Sequence, residues 1–294
     1  GFNSHLQFRE FDLQPETGKK IKLSGELTLS GHLQDYSGVF TLTSHAEKPY
    51  DIHLSGNYSG NLNQLHLNEL RGNWLNGSLG GQALISWSKG WQIDAQLNGR
   101  NLDPQLFHKQ LSGELNLDLQ AQLTGSDENL DGRLSFRLND SFLHNQPLNG
   151  MAEILITNQL FELSQLHLQG DGIRLQGNGK WNDRIHLSWA IDRLEQLVDE
   201  ARGKVAGKGW FKLLPEGLSA AFRAHTEELR YQNWQLKNGQ IYGQTFVDSQ
   251  DWKLQFEGQQ LSGEQPQLEL ESIHLQLEGA LEQHEILLKL GQLD

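Results

Sequence analysis

The sequence predicts an almost entirely β fold whose long strands share one continuous apolar face. Three observations carry that expectation. Many segments alternate strictly between apolar and polar residues, glycine is frequent and proline scarce (31 against 6), and a pattern recurs at a spacing of about 90 residues.

The alternation is clear from the first repeat. Odd positions read Leu23, Gly25, Leu27, Leu29, Gly31 and Leu33, and even positions read Lys22, Ser24, Glu26, Thr28, Ser30 and His32. A period of two sends each set to its own face of a strand. The longest run puts Leu111, Gly113, Leu115, Leu117, Leu119, Ala121, Leu123 and Gly125 opposite Ser112, Glu114, Asn116, Asp118, Gln120, Gln122 and Thr124. At about 3.3 Å per residue that strand is roughly 50 Å long, whereas ordinary strands average about 5–6 residues.

A second pattern inserts two polar residues into the alternation. It occurs as Leu65, Leu67, Leu70, Gly72, as Phe161, Leu163, Leu166, Leu168, Gly170, and as Leu268, Leu270, Ile273, Leu275, Leu277, Gly279. The extra residue reverses the phase, so a bulge or a turn is needed to keep one face apolar.

The repeat is the third element. Leu23–Ser24–Gly25–Glu26–Leu27 recurs identically at Leu111–Leu115 and loosely as Val205–Ala206–Gly207–Lys208–Gly209. Ile93, Ala95 and Leu97 likewise correspond to Leu187, Trp189 and Ile191. One continuous segment with repeats at about 1–110, 111–204 and 205–294 is expected, in a quasi-one-dimensional arrangement. Two short helices are predicted at the repeat junctions. One follows Asp103–Pro104 and runs through Gln110, with an N-cap and an N1 proline. The other starts at Asp192 with Glu195 completing a capping box, exposes Leu194, Leu197, Val198 and Ala201 on one face, and ends at Gly203.

Composition narrows the function. The net charge is −13 and the basic residues are scattered apart from short runs such as Lys19–Lys20, so nucleic acid is not an expected partner. Cysteine is absent, which removes disulfides and thiolate metal sites. The uninterrupted apolar runs are too short for a membrane-crossing helix. No signal peptide is visible, and an opening on Gly1 rather than Met suggests a piece of a longer protein.

Catalytic chemistry finds no footing. His53, His66, His167, His186 and His274 each stand between two apolar residues, which puts them on the polar face without a second ligand at i+2 or i+4. Gly80–Gly81 and Gly170–Asp171–Gly172 read as turns. Acidic pairs such as Glu227–Glu228 and Glu269–Glu271 lie on polar strand faces, where nothing splits two pKa values for acid–base work. No catalytic residue, cofactor or metal is expected.

The apolar face itself is unusual. Trp87, Trp91, Trp189 and Trp252 run in phase with Leu, Ile and Phe, and glycines such as Gly31, Gly113, Gly125 and Gly258 share that face. A sheet curled so that this face lines a groove satisfies the pattern, and so does a solenoid whose apolar face is its packed core.

The runs from Trp91 to Pro104 and from Leu111 to Gly125 resemble the AsmA-like superfamily and, more narrowly, its TamB family. Leu229–Arg230–Tyr231–Gln232–Asn233–Trp234 with Gly243, the stretch Leu268 to Gly279, and Glu282–Gln283–His284–Glu285 are similar to that family's middle region. The resemblance extends from about Leu33 to the end. It implies an elongated, taco-like, U-shaped β-groove in the periplasm of Gram-negative bacteria, anchored in the inner membrane outside this stretch. It also implies passive phospholipid movement between the membranes and an outer-membrane Omp85-type barrel, TamA, as partner. The groove-lining candidates are then Leu23, Leu27, Leu29, Leu33, Trp91, Ile93, Leu97, Leu111, Leu115, Leu117, Leu119, Leu123, Leu187, Trp189, Ile191, Phe211, Leu254, Phe256, Leu275 and Leu277, meeting phospholipid acyl chains. The competing expectation is a scaffold whose strand edges assist outer-membrane protein assembly.

Overall fold

The structure is a computed structural model describing residues 1–13, 21–46, 49–88, 90–109, 111–126, 129–198, 200–214, 217–246, 251–264, 267–280 and 283–292. The Lys19–Lys20 run, Gln110 and Glu282 fall outside these residues. Among the described residues the fold is all-β and antiparallel, with twenty strands. Among the described residues no helix is long and apolar enough to cross a membrane.

The strands divide between two units, Gly1–Gln159 and Leu160–Asp294. The first contains β1 (Phe2–Leu13), β2 (Ile21–His32), β3 (Asp35–His45), β4 (Ile52–Gly60), β5 (Gln64–Trp74), β6 (Gly77–Ser86), β7 (Trp91–Leu102), β8 (Gly113–Gly125), β9 (Leu130–Leu143) and β10 (Gln146–Thr157). Each pairs antiparallel with the next, from β1–β2 through to β9–β10. Leu75–Asn76 and His144–Asn145 close two of these hairpins with paired positive φ angles of 48° and 59°, and 50° and 60°. That is the type I′ geometry that matches the twist of the flanking strands.

The second unit holds β11 (Leu160–Gly170), β12 (Ile173–Lys180), β13 (Ile185–Ile191), β14 (Ala201–Gly203), β15 (Val205–Leu214), β16 (Gly217–Tyr231), β17 (Trp234–Phe246), β18 (Asp251–Glu264), β19 (Gln267–Ala280) and β20 (Gln283–Gln292). Its ladder also runs between neighbours, with one interruption. β15 joins β13 to β16, while the three-residue β14 pairs with the far end of β16, so the strand is broken at Lys204.

The two-residue gaps are bulges, as their phase reversal requires. Leu67 faces Ala83 and Leu70 faces Gly81, with the register shifting between them and Glu69 at φ 51°. A shift between Leu163 and Leu166 keeps both in register with glycines of β12. In the third copy the β19–β20 register shifts between Leu270 and Ser272. Each bulge restores the apolar face that a regular strand would lose.

Several expectations are corrected. The junction helices are single 3-10 turns, Pro104–Leu106 and Leu194–Gln196. The first keeps the expected cap, Asp103 accepting from the Gln105 amide. The second has Arg193 at its N-cap with no side-chain cap bond, because Asp192 pairs with Arg174 at 3.2 Å and Gly203 belongs to β14. Gly80 and Gly81 lie inside β6 and not in a turn. Leu33 sits in the β2–β3 turn, Leu111 lies two residues before β8, and Trp87 follows β6, so none of the three stands on a strand. The Trp87 indole instead donates to the Leu62 carbonyl at 2.7 Å.

Candidate functional site

Residues directly opposite in an antiparallel pair point to the same face, so the registers can be followed from strand to strand. In the first unit one such row reads Leu29, Gly38, Tyr58, Leu67, Ala83, Ala95, Ala121, Leu134, Ile154. In the second it reads Leu168, Leu175, Trp189, Gly207, Ala224, Ile241, Phe256, Leu275, Leu288. Neither row contains an ionisable group other than the Tyr58 phenol. At about 4.8 Å between strands, each stretches over about 38 Å within its unit.

Eighteen of the candidate residues stand on strands in these faces, and each is half-buried: Leu23, Leu27, Leu29, Trp91, Ile93, Leu97, Leu115, Leu117, Leu119, Leu123, Leu187, Trp189, Ile191, Phe211, Leu254, Phe256, Leu275 and Leu277. Ile93 faces Ile85 and Leu123, Leu119 faces Leu97 and Phe136, and Phe256 faces Ile241 and Leu275. Leu33 and Leu111 are exposed and do not join them. The face also includes Phe40, Leu42, Leu54, Leu67, Phe136, Ile154, Phe222, Ile241 and Leu288. Phe40, Leu42 and Phe136 follow the two-residue period that marks the face, whereas Ile154 and Leu288 lie in continuous apolar runs in which no alternation picks one face out.

The exposure of this face is its telling property. Among the described residues eleven apolar side chains are buried; Tyr58, Ala121 and Ala224 lie in the rows, while Leu75, Leu102 and Leu148 stand at or near strand ends. On the outer strands Leu6 is 57% exposed, Leu288 53% and Leu290 54%. A second layer of structure packed on the face would have buried them.

Glycines on the face are filled from the neighbouring strand. Phe8 lies over Gly25, Phe40 over Gly56 and Trp91 over Gly125 in the first unit. Trp189 lies over Gly207, Phe222 over Gly243 and Trp234 over Gly263 in the second. An aromatic ring covering a cross-strand glycine keeps the ladder packed without adding height. Tyr58 reaches further: it passes across Gly38 and donates to the Thr28 carbonyl two strands away at 2.6 Å. Burial, with a smaller contribution from Tyr36, raises the Tyr58 pKa above the usual phenol value. The hydroxyl therefore keeps its proton to donate.

Charges collect on the opposite face. Arg100–Asp118 (2.5 Å), Arg133–Glu153 (3.1 Å) and Lys253–Glu278 (3.4 Å) span neighbouring strands there. The five histidines are on this side too: His53 bonds Thr43 at 2.8 Å, His274 approaches Glu257 at 3.3 Å, and His66, His167 and His186 face Ser59, Gln176 and Asn178. Among the described residues no three His, Asp or Glu side chains are grouped to hold a metal ion.

The sequence model of the family described as TamB, N-terminal domain, matches residues 10–292. The chain belongs to that family. No curated protein and no solved structure matches it. The description names an N-terminal domain, so the expected placement in the family's middle region is not confirmed.

Proposed function

We propose that the apolar faces form a passive conduit on which phospholipid acyl chains lie while headgroups stay in water. The observation that carries this reading is the pair of nine-membered rows, free of charge, whose large aliphatic and aromatic members other than Tyr58 are left half-buried or exposed. Burying apolar surface is worth about 25 cal/mol per Å², so an acyl chain laid on such a row gains what a covering layer would otherwise supply. Family membership supports a setting between inner and outer membranes, in the periplasm, with an inner-membrane anchor and an Omp85-type barrel (TamA) engaged by other regions. The three repeats at about 1–110, 111–204 and 205–294 would each then contribute such an apolar lining.

The decisive variant carries Leu117→Asp, Leu119→Asp and Phe256→Asp together. Native mass spectrometry of the purified wild-type chain should find co-purified phospholipid. The triple variant should lose it while circular dichroism still reports β structure. Wild-type lipid occupancy in the triple variant would overturn the reading.

One observation favours a second reading, a scaffold that receives client strands. Among the described residues β20 pairs only with β19, and it exposes Leu287 on one face and Leu288 and Leu290 on the other. Photo-crosslinkers on β20 would capture outer-membrane protein segments under that reading, and lipid under the first.

A further inference from the structure

The second unit carries a basic cleft that lipid conduction along the apolar face does not use. It lies at the break between β14 and β15, on the polar face, with a volume of ≈ 600 Å³. Its lining includes Arg174, Arg202, Lys204 and Arg230 against Asp192, Glu227 and Glu228. Two of the carboxylates are already engaged: Arg174 holds Asp192 at 3.2 Å and Arg230 holds Glu228 at 2.7 Å. Arg202 and Lys204 have no hydrogen-bond or ion-pair partner among the described residues.

The register makes this arrangement costly for the protein alone. Arg202 stands directly opposite Arg230 on the neighbouring strand, and like charges so placed repel. Farther along β16 and outside the cleft lining, Lys208 faces Arg223, again without a partner for either among the described residues. These residues share a face with His225 at the cleft wall, since Ala206–His225 and Lys208–Arg223 are two apart on the same strands. The lining thus sets four cations against three carboxylates, a local positive excess in a chain of net charge −13.

We propose that this cleft binds a phosphate-bearing anion. The Arg202 guanidinium would grip two phosphate oxygens and the Lys204 ammonium would meet a third. Planar guanidiniums match phosphate bidentately, and a flexible lysine adds a point charge. Glu227, the remaining carboxylate of the lining, opposes binding and limits the site to weak affinity. The shared chemistry is the tetrahedral phosphate oxyanion, which either a phospholipid headgroup or a free phosphate ester supplies.

Isothermal titration of the whole chain tests this with inorganic phosphate, with dihexanoyl-phosphatidylglycerol below its micellar concentration, and with glycerol as uncharged control. Saturable binding is expected for the two phosphate probes and not for glycerol, weakening as salt rises. Arg202→Gln with Lys204→Gln should lower affinity at least about tenfold, the loss of two charge-assisted contacts. Arg100→Gln in the first unit should change nothing. Tighter binding of the lipid than of inorganic phosphate assigns the site to headgroups, and equal or weaker binding assigns it to free phosphate. If the double variant loses its β-sheet dichroism, Lys204→Gln alone carries the comparison. Absence of saturable phosphate binding, or unchanged affinity in the folded variant, overturns the proposal. The cleft is on the polar face, so this result is independent of lipid loss in the Leu117→Asp, Leu119→Asp, Phe256→Asp variant.

Discussion

The two units keep their apolar faces shallow by different means. At the centre of the first, Ala83, Ala95 and Ala121 stand side by side on three successive strands, small and uniform. At the centre of the second, the matching stretch is Trp189, Gly207 and Ala224, a large ring beside a residue with no side chain. Uniform small residues leave a low strip between taller neighbours such as Ile93 and Leu123 on one side and Leu97 and Leu119 on the other. An indole laid over a glycine reaches a similar height with far more apolar area. The first solution tolerates change because each alanine is modest and replaceable. The second depends on a vacancy being kept.

That difference can be broken by paired substitutions. Gly207→Ala would drive a methyl into the Trp189 ring and to within 2.8 Å of the Arg223 carbonyl. Overpacking of this kind costs about 2–3 kcal/mol, read as a lowered urea midpoint. Ala95→Val, on a half-buried position of the first unit, should stay within about 0.5 kcal/mol, since a β-branched residue suits a pleated surface. Equal losses from the two would erase the contrast between the units.

The next effect belongs to the first unit alone. Tyr58→Phe removes the bond to the Thr28 carbonyl and should cost about 1 kcal/mol. Its pH dependence has a defined sign. The folded-state pKa lies above the ordinary phenol value of 10.0, so the stabilisation is complete below pH 10 and is lost as pH rises through the folded value. Denaturation midpoints of wild type and Tyr58→Phe should therefore converge above that pH, and parallel curves would refute the donor role.

The smallest effect compares bulges. Gln260 in the second unit and Asn101 in the first both hold positive φ, 48° and 57°. Asparagine adopts that conformation more readily than glutamine. Gln260→Gly should stabilise by about 0.5 kcal/mol, and Asn101→Gly by less. A larger gain at Asn101 would mean that its side chain, not its backbone, is what the bulge strains.

Much of the fold was legible because the β period is short and local. Leu117, Leu119 and Leu123 alternate within a single strand, and the bulge at Leu67–Leu70 announces itself by a phase reversal in sequence. The site was less legible. Leu33 and Leu111 continue an alternation past the place where the backbone turns or has not yet paired, and no periodic signal marks that limit. The capping box at Asp192 failed because Arg174, eighteen residues earlier, takes the carboxylate. Arg202 meeting Arg230 is invisible until the register is known.

The sequence alone determined that the chain is β, that one face is apolar, and where that face must bulge, since each follows from spacing between near neighbours. Tertiary structure decided which aromatic covers which glycine, that Tyr58 bridges across β3, that the apolar faces stay half-exposed, and that cations collect at the β14–β15 break. These depend on strand register, a long-range quantity in which a slip of one residue exchanges the two faces.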